Sequence, residues 1–198
     1  MNISNQIYEI INSEDFNNRL EQINRNYPNL KQENVIRNAI LEQFNDFYAN
    51  EHVRAFAEHP RINNTRVDLS IVNKGCLAKP YKIEFKYHFC DFEDSFASYH
   101  NRINHEFNVR NSNMYILIVQ TFDSDKKETF DKSWDITTSF WKKKELNEKW
   151  KLNLNENFEK VIKISENGDS ELLEIVSIDI NVPYPTSYHF YILKRKRD

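Results

Sequence analysis

The chain reads as an α/β protein built on a mixed sheet, and three features of its 198 residues say so. Two runs, 67–72 and 81–87, alternate apolar and polar residues or stay apolar over strand length. The turn-like residues 73–75 between them make the runs adjacent antiparallel strands. The most continuously apolar stretch, 114–121, reads as a central strand covered on both faces. A helical pattern separates it from 81–87, so those two strands become parallel neighbours through a right-handed crossover.

The elements follow in chain order. Residues 3–24 look helical, with Ile7, Ile10, Ile11, Leu20 and Ile23 as apolar contacts, and Tyr27, Pro28 and Asn29 break the pattern. A second helix over about 31–50 carries the stripe Ile36, Ala39, Ile40, Phe44 and Phe47. Residues 52–59 read as a short strand in which Val53, Ala55 and Ala57 alternate with polar neighbours, and 60–64 as a loop. Residues 91–109 form the crossover helix, with Phe92, Phe96, Tyr99, Ile103 and Phe107 at 3.6-residue spacing. Beyond the central strand, 123–128 suits a loop or helix start, and 127–151 holds three tryptophans that suit a peripheral helix packed on the core. Runs 158–165 and 171–178 flank Asn167 and Gly168, a hairpin signal, and 188–193 is a last strand before a basic tail. The expected unit is one domain over 1–198, its C-terminal part rich in β structure.

Composition narrows the function classes. A 39% hydrophobic and 14% aromatic content supports a sizeable core of Phe, Tyr, Ile and Leu. No run reaches the length of a membrane span, and the first residues lack a signal-peptide pattern. Cys76 and Cys90 stand alone and suit reduced thiols, so the expectation is a cytoplasmic protein without membrane partners. The histidines show no zinc-ligand spacing, and the only glycines, Gly75 and Gly168, fall at expected turns. Zinc enzymes, P-loops and Rossmann nucleotide sites are therefore set aside. A net charge of −3 excludes a grossly basic nucleic-acid binder but leaves local patches. Lys194, Arg195, Lys196 and Arg197 form the densest, and Lys142, Lys143 and Lys144 the next; each equally suits a solvated surface.

The chemistry concentrates on Asp68, Glu84 and Lys86. Glu84 and Lys86 are two apart in a strand, so they share a face. If Asp68 faces them across the hairpin, two carboxylates and an ammonium converge, a set able to hold Mg²⁺ and activate water. Asp125 and Lys127 repeat the acid–lysine spacing in a polar segment, where such groups are ordinarily solvated. A half-exposed strand with a polar face would also carry Glu84 and Lys86. Glu33 projects from the apolar face of the second helix, one turn before Ile36, and serves either that site or the helix dipole. Glu42 and Asp46 lie at the margin of the same stripe.

Over about residues 31–121 the sequence resembles the PD-(D/E)XK nuclease superfamily, the restriction-endonuclease-like fold. The resemblance rests on Glu33 in the leading helix, Asp68 in the second strand, Glu84, Phe85 and Lys86 in the third, and the helix and apolar strand that follow. Val67 stands where the name-giving proline would be, and the glutamine–tyrosine motif of the RecB-type branch is not evident. The resemblance implies a nuclease core over 31–121 and an elaboration of helix and hairpin over 122–198. It implies a metal-dependent endonuclease acting on DNA, of restriction or defence type, using Mg²⁺ or Mn²⁺. Asp68, Glu84 and the Phe85 carbonyl would be ligands, Lys86 would orient the water, and Glu33 would support a second metal or the water network. The two basic clusters would contact phosphates, and cutting both strands would call for a homodimer. A non-catalytic nucleic-acid-binding or assembly module, and a nuclease of RNA or single strands, stay open at this point.

Overall fold

Period-two burial along strands and helical-period burial along helices build three layers around a mixed, open seven-stranded sheet, with six α-helices among the described residues. The computed structural model describes residues 2–62, 65–89, 96–136, 149–165 and 168–196.

Helices α1 (Ile3–Ile11), α2 (Glu14–Asn26) and α3 (Glu33–Phe47) precede β1 (Val53–Ala57). A short hairpin of β2 (Arg61–Ile62) and β3 (Thr65–Arg66) leads to β4 (Leu69–Asn73) and β5 (Tyr81–Phe89). Helix α4 (His100–Asn104) runs into a π turn (His105–Val109) and then β6 (Met114–Phe122). Helices α5 (Ser124–Ser133) and α6 (Lys149–Ile164) are followed by β7 (Ser170–Leu172), β8 (Val176–Ile180) and β9 (Thr186–Arg195). The sheet order is β1-β4-β5-β6-β9, with β7 and β8 both along the outer side of β9. β4 and β5 are antiparallel and β5 and β6 parallel, as the sequence leads one to expect. At the other edge the Asn45 side chain bonds both the N–H and the carbonyl of Ala55, at 2.9 and 3.1 Å, and so blunts the exposed side of β1.

The two faces bury different sets. Helices α1, α2 and α3 cover Ile83, Phe85, Ile116, Ile118 and Phe190. On the other side, α4 and α6 cover Tyr115, Leu117, Val119 and Tyr191. Lys82, Glu84, Lys86 and His88 alternate with the first set along β5 and therefore lie on this second face, where the His88 ring meets Phe96 and Tyr99.

Several expectations change. The helix read over 3–24 is two helices, because Ser13 caps α2 by accepting the Phe16 N–H at 3.1 Å. Phe47 is 57% exposed and leaves the α3 stripe. The segment read as a strand over 158–165 is the end of α6: Leu154, Phe158 and Val161 recur at helical spacing and bury one face. Gly168, at φ 65°, turns the chain after a helix, and no hairpin joins 158–165 to 171–178. Lys127, expected in solvent, is buried against Asp131 at 2.6 Å and Asn29 at 2.5 Å. Trp150 packs on Phe96 and His189, whereas Trp134 is exposed. Cys90, Phe92 and Trp141 lie outside the described residues, and no described helix is long and apolar enough to cross a membrane.

Candidate active site

Asp68 lies one residue before β4, and the register that sets Leu69 opposite Ile83 carries it opposite Glu84. Two contacts fix it. Its carbonyl accepts the N–H of Glu58 at 3.1 Å, which extends the β1–β4 pairing by one step. Its Oδ2 accepts the Phe85 N–H at 2.8 Å. Glu58 itself sits at φ 56°, a conformation that costs about 1 kcal/mol for a residue with a Cβ. That turn is held by ion pairs from Glu58 to Arg37 at 2.9 Å and to Arg66 at 2.8 Å. Hydrogen bonds from Arg66 and then Arg37 hold the Glu58 carboxyl below its ordinary range.

Glu84 is 1% exposed. Burial first, and then the negative charge of Asp68, push its carboxyl up to about 8, against the opposing pull of Arg110. Its Oε1 lies 3.0 Å from Arg110 Nη2, while its Oε2 is buried without a hydrogen bond. The helix end above supplies two further charges. In the π turn the Arg110 N–H reaches the His105 carbonyl at 3.0 Å, and Glu106 and Arg110 both meet the sheet. Glu106 Oε2 is 3.1 Å from Arg110 Nη1 and its Oε1 is 3.5 Å from Lys86 Nζ. Arg110 also donates to the Arg66 carbonyl.

The structure therefore brings Asp68, Glu84, Phe85 and Lys86 together and adds Glu106 and Arg110, which the sequence reading passed over. The available signal was an acid and an arginine four apart beside the stripe residue Phe107. Glu33 is not in this group. It heads α3 on the opposite face of the sheet and pairs with Lys31 at 3.1 Å.

The basic tail is largely structural. Strand β9 runs on to Arg195, so Lys194 is 8% exposed and pairs with Glu171 at 3.1 Å. The Arg195 guanidinium lies 4.1 Å over the Phe107 ring and donates to the carbonyls of Phe107 and Ser112 at 3.2 and 3.3 Å. Lys196 is exposed; Lys142, Lys143, Lys144 and Arg197 lie outside the described residues.

Among the described residues, no group of three His, Cys, Asp or Glu side chains could hold a metal ion. The pair Asp68 and Glu84 still fits a hard cation in donor chemistry. Two carboxylates face each other, one Glu84 oxygen receives no protein donor, and burial first, then the charge of Asp68, raises the Glu84 carboxyl. Such a cation would draw its remaining ligands from water and phosphate, which is ordinary for Mg²⁺. No protein-family model matches the chain, and no curated protein or solved structure matches it significantly.

Proposed function

We propose that the protein is a metal-dependent nuclease with a restriction-endonuclease-like core that hydrolyses DNA phosphodiester bonds in a restriction or defence role. One observation carries the reading: Asp68 opposes Glu84 across β4 and β5, with Lys86 one step along the same face. The order of helix, three antiparallel strands, crossover helix and parallel strand supports it as well.

Asp68 and Glu84 would hold Mg²⁺ or Mn²⁺, with the Phe85 carbonyl beside them. When bound, the cation supplies Lewis acidity, easing deprotonation of water and offsetting phosphate charge. The protein's own groups do the rest. The Phe85 N–H orients the Asp68 carboxylate. Lys86, steadied by Glu106, orients the attacking water and stabilises charge developing on the phosphoryl oxygens. Exposed Lys196 and Arg66 offer phosphate contacts whose strength falls with salt. Cutting both strands would take two copies of the site, hence a homodimer.

The hold of Arg110 on Glu84 favours a second reading, a non-catalytic nucleic-acid-binding module of the same fold. Plasmid cleavage separates the two. With Mg²⁺ or Mn²⁺ the wild type nicks or linearises supercoiled DNA, and Asp68→Ala and Lys86→Ala each slow cutting by about a hundredfold or more. Binding without cutting by any variant selects the second reading. Equal cutting by all three places the chemistry elsewhere, and faster cutting of RNA or single-stranded competitors reassigns the substrate.

A further inference from the structure

Arg110 meets three partners in the cluster through its guanidinium. Its Nη2 meets Glu84 and the Arg66 carbonyl, and its Nη1 meets Glu106. Its backbone is fixed on both sides: the N–H closes the π turn, and Lys82 Nζ donates to its carbonyl at 3.2 Å. Asn111, at φ 52°, then turns the chain toward β6. The guanidinium itself is only partly enclosed, with its side chain 21% exposed. It sits against one oxygen of Glu84 while the other oxygen stays unpaired and Asp68 stands opposite. A guanidinium there does part of what a divalent cation would do, offsetting two carboxylates that repel each other in a poorly solvated place.

We propose that Arg110 is a built-in competitor for the divalent cation: its guanidinium holds Glu84 in the metal-free protein and yields it when the cation arrives, pivoting on Glu106. The inference rests on the metal-dependent reading above. Each cation bound then costs the Arg110–Glu84 contact, so metal binds weakly until substrate is present. The released guanidinium stays tethered to Glu106 beside the site, where its planar fork can take phosphate oxygens. Arg110 would thus couple metal binding to substrate binding.

The test uses the full chain, titrated with Mn²⁺ and followed by the electron paramagnetic resonance of free Mn²⁺, with circular dichroism as the folding check. Arg110→Met should bind Mn²⁺ about tenfold more tightly than wild type, within the usual range of coupling between sites. Its melting temperature should fall in EDTA and recover in Mn²⁺ by more than the wild-type rise. Lys86→Met removes an equal charge that meets Glu106 rather than Glu84, so it should tighten binding less. If Arg110→Met fails to fold, Arg110→Lys carries the test, because an ammonium keeps the charge but cannot fork between two carboxylates; it should also bind more tightly. Equal or weaker binding by the folded Arg110 variants overturns the competition. Equal tightening by Lys86→Met reduces it to net charge and overturns it too. No Mn²⁺ binding by any of the proteins removes the metal reading itself, and this inference with it.

Discussion

Each face of the sheet buries a polar group, and the two are treated in opposite ways. Beneath α1, α2 and α3, Tyr87, Gln120, Tyr188, Asn24 and Gln32 form one closed network. The Tyr87 hydroxyl donates to Gln120 Oε1, Gln120 Nε2 donates to Tyr188 at 3.1 Å, and the Tyr188 hydroxyl lies 2.6 Å from Gln32 Oε1. The outer amides of Asn24 and Gln32 end on the carbonyls of Val182 and Tyr27, both at 2.9 Å. Beneath α4 and its π turn, by contrast, Glu84 keeps an unpaired oxygen and a carboxylate neighbour of its own sign. A satisfied network specifies packing; an unsatisfied one costs stability and is retained where a ligand completes it. Glu84 and Asp68 thus stand out as the candidate site on the second face by their burial and charge as well as by motif.

Breaking the satisfied side should have the larger effect. Gln120→Leu leaves the Tyr87 hydroxyl without its acceptor and removes a donor from Tyr188, both buried. The expected loss is about 3 kcal/mol in urea unfolding, since stranded buried groups lose their full solvation. A loss below about 1 kcal/mol would mean that the network contributes little, and the contrast between the faces would fail.

Neutralising the unsatisfied side should stabilise the protein, and more so as pH rises. A carboxyl whose folded pKa lies near 8 rather than 4.5 is protonated in both states below about 4.5, so nothing is lost there. Between 4.5 and 8 the folded state holds the extra proton, and stability falls as pH rises through that window. Glu84→Gln does not titrate. In EDTA its stability relative to wild type should therefore climb from near zero at the acid end to about 2 kcal/mol near pH 8, allowing for the lost Arg110 contact. Urea unfolding across that range measures it; a constant offset would show that Glu84 is no more perturbed than a surface acid.

The same contrast explains what the sequence revealed. Alternation along β5 placed Glu84 and Lys86 on one face, and the antiparallel register brought Asp68 opposite, because period two leaves a strand no freedom about sides. Glu33 was read as projecting from the apolar face of its helix, but a helix's own periodicity does not say which side of the sheet it covers, and α3 lies on the side away from Asp68 and Glu84. Arg110 was missed for a different reason. A π turn adds one residue per turn, so a side chain that 3.6-residue counting places past the helix end comes back over the sheet. The end of α6 was misread because Phe158 and Val161 fit a strand over eight residues and become helical only when Leu154 is counted with them. The adjacent Asn167 and Gly168 then lent a hairpin signal to a helix terminus.

The smallest effect sharpens the comparison furthest. Ser70 follows two residues after Asp68 on the second face, opposite Lys82, and its buried hydroxyl has no hydrogen-bond partner. Removing a buried group that is bonded costs its partner; removing one that is unbonded costs only a small cavity and relieves a desolvation penalty. Ser70→Ala should therefore leave urea stability within about 0.5 kcal/mol of wild type, or raise it slightly. The effect on Mn²⁺ affinity should be equally small, since Ser70 contacts neither carboxylate. A loss near 2 kcal/mol would instead reveal a bound water or ion joining Ser70 to Glu84, and the unpaired oxygens of this face would then belong to one hydrated cavity rather than to separate sites.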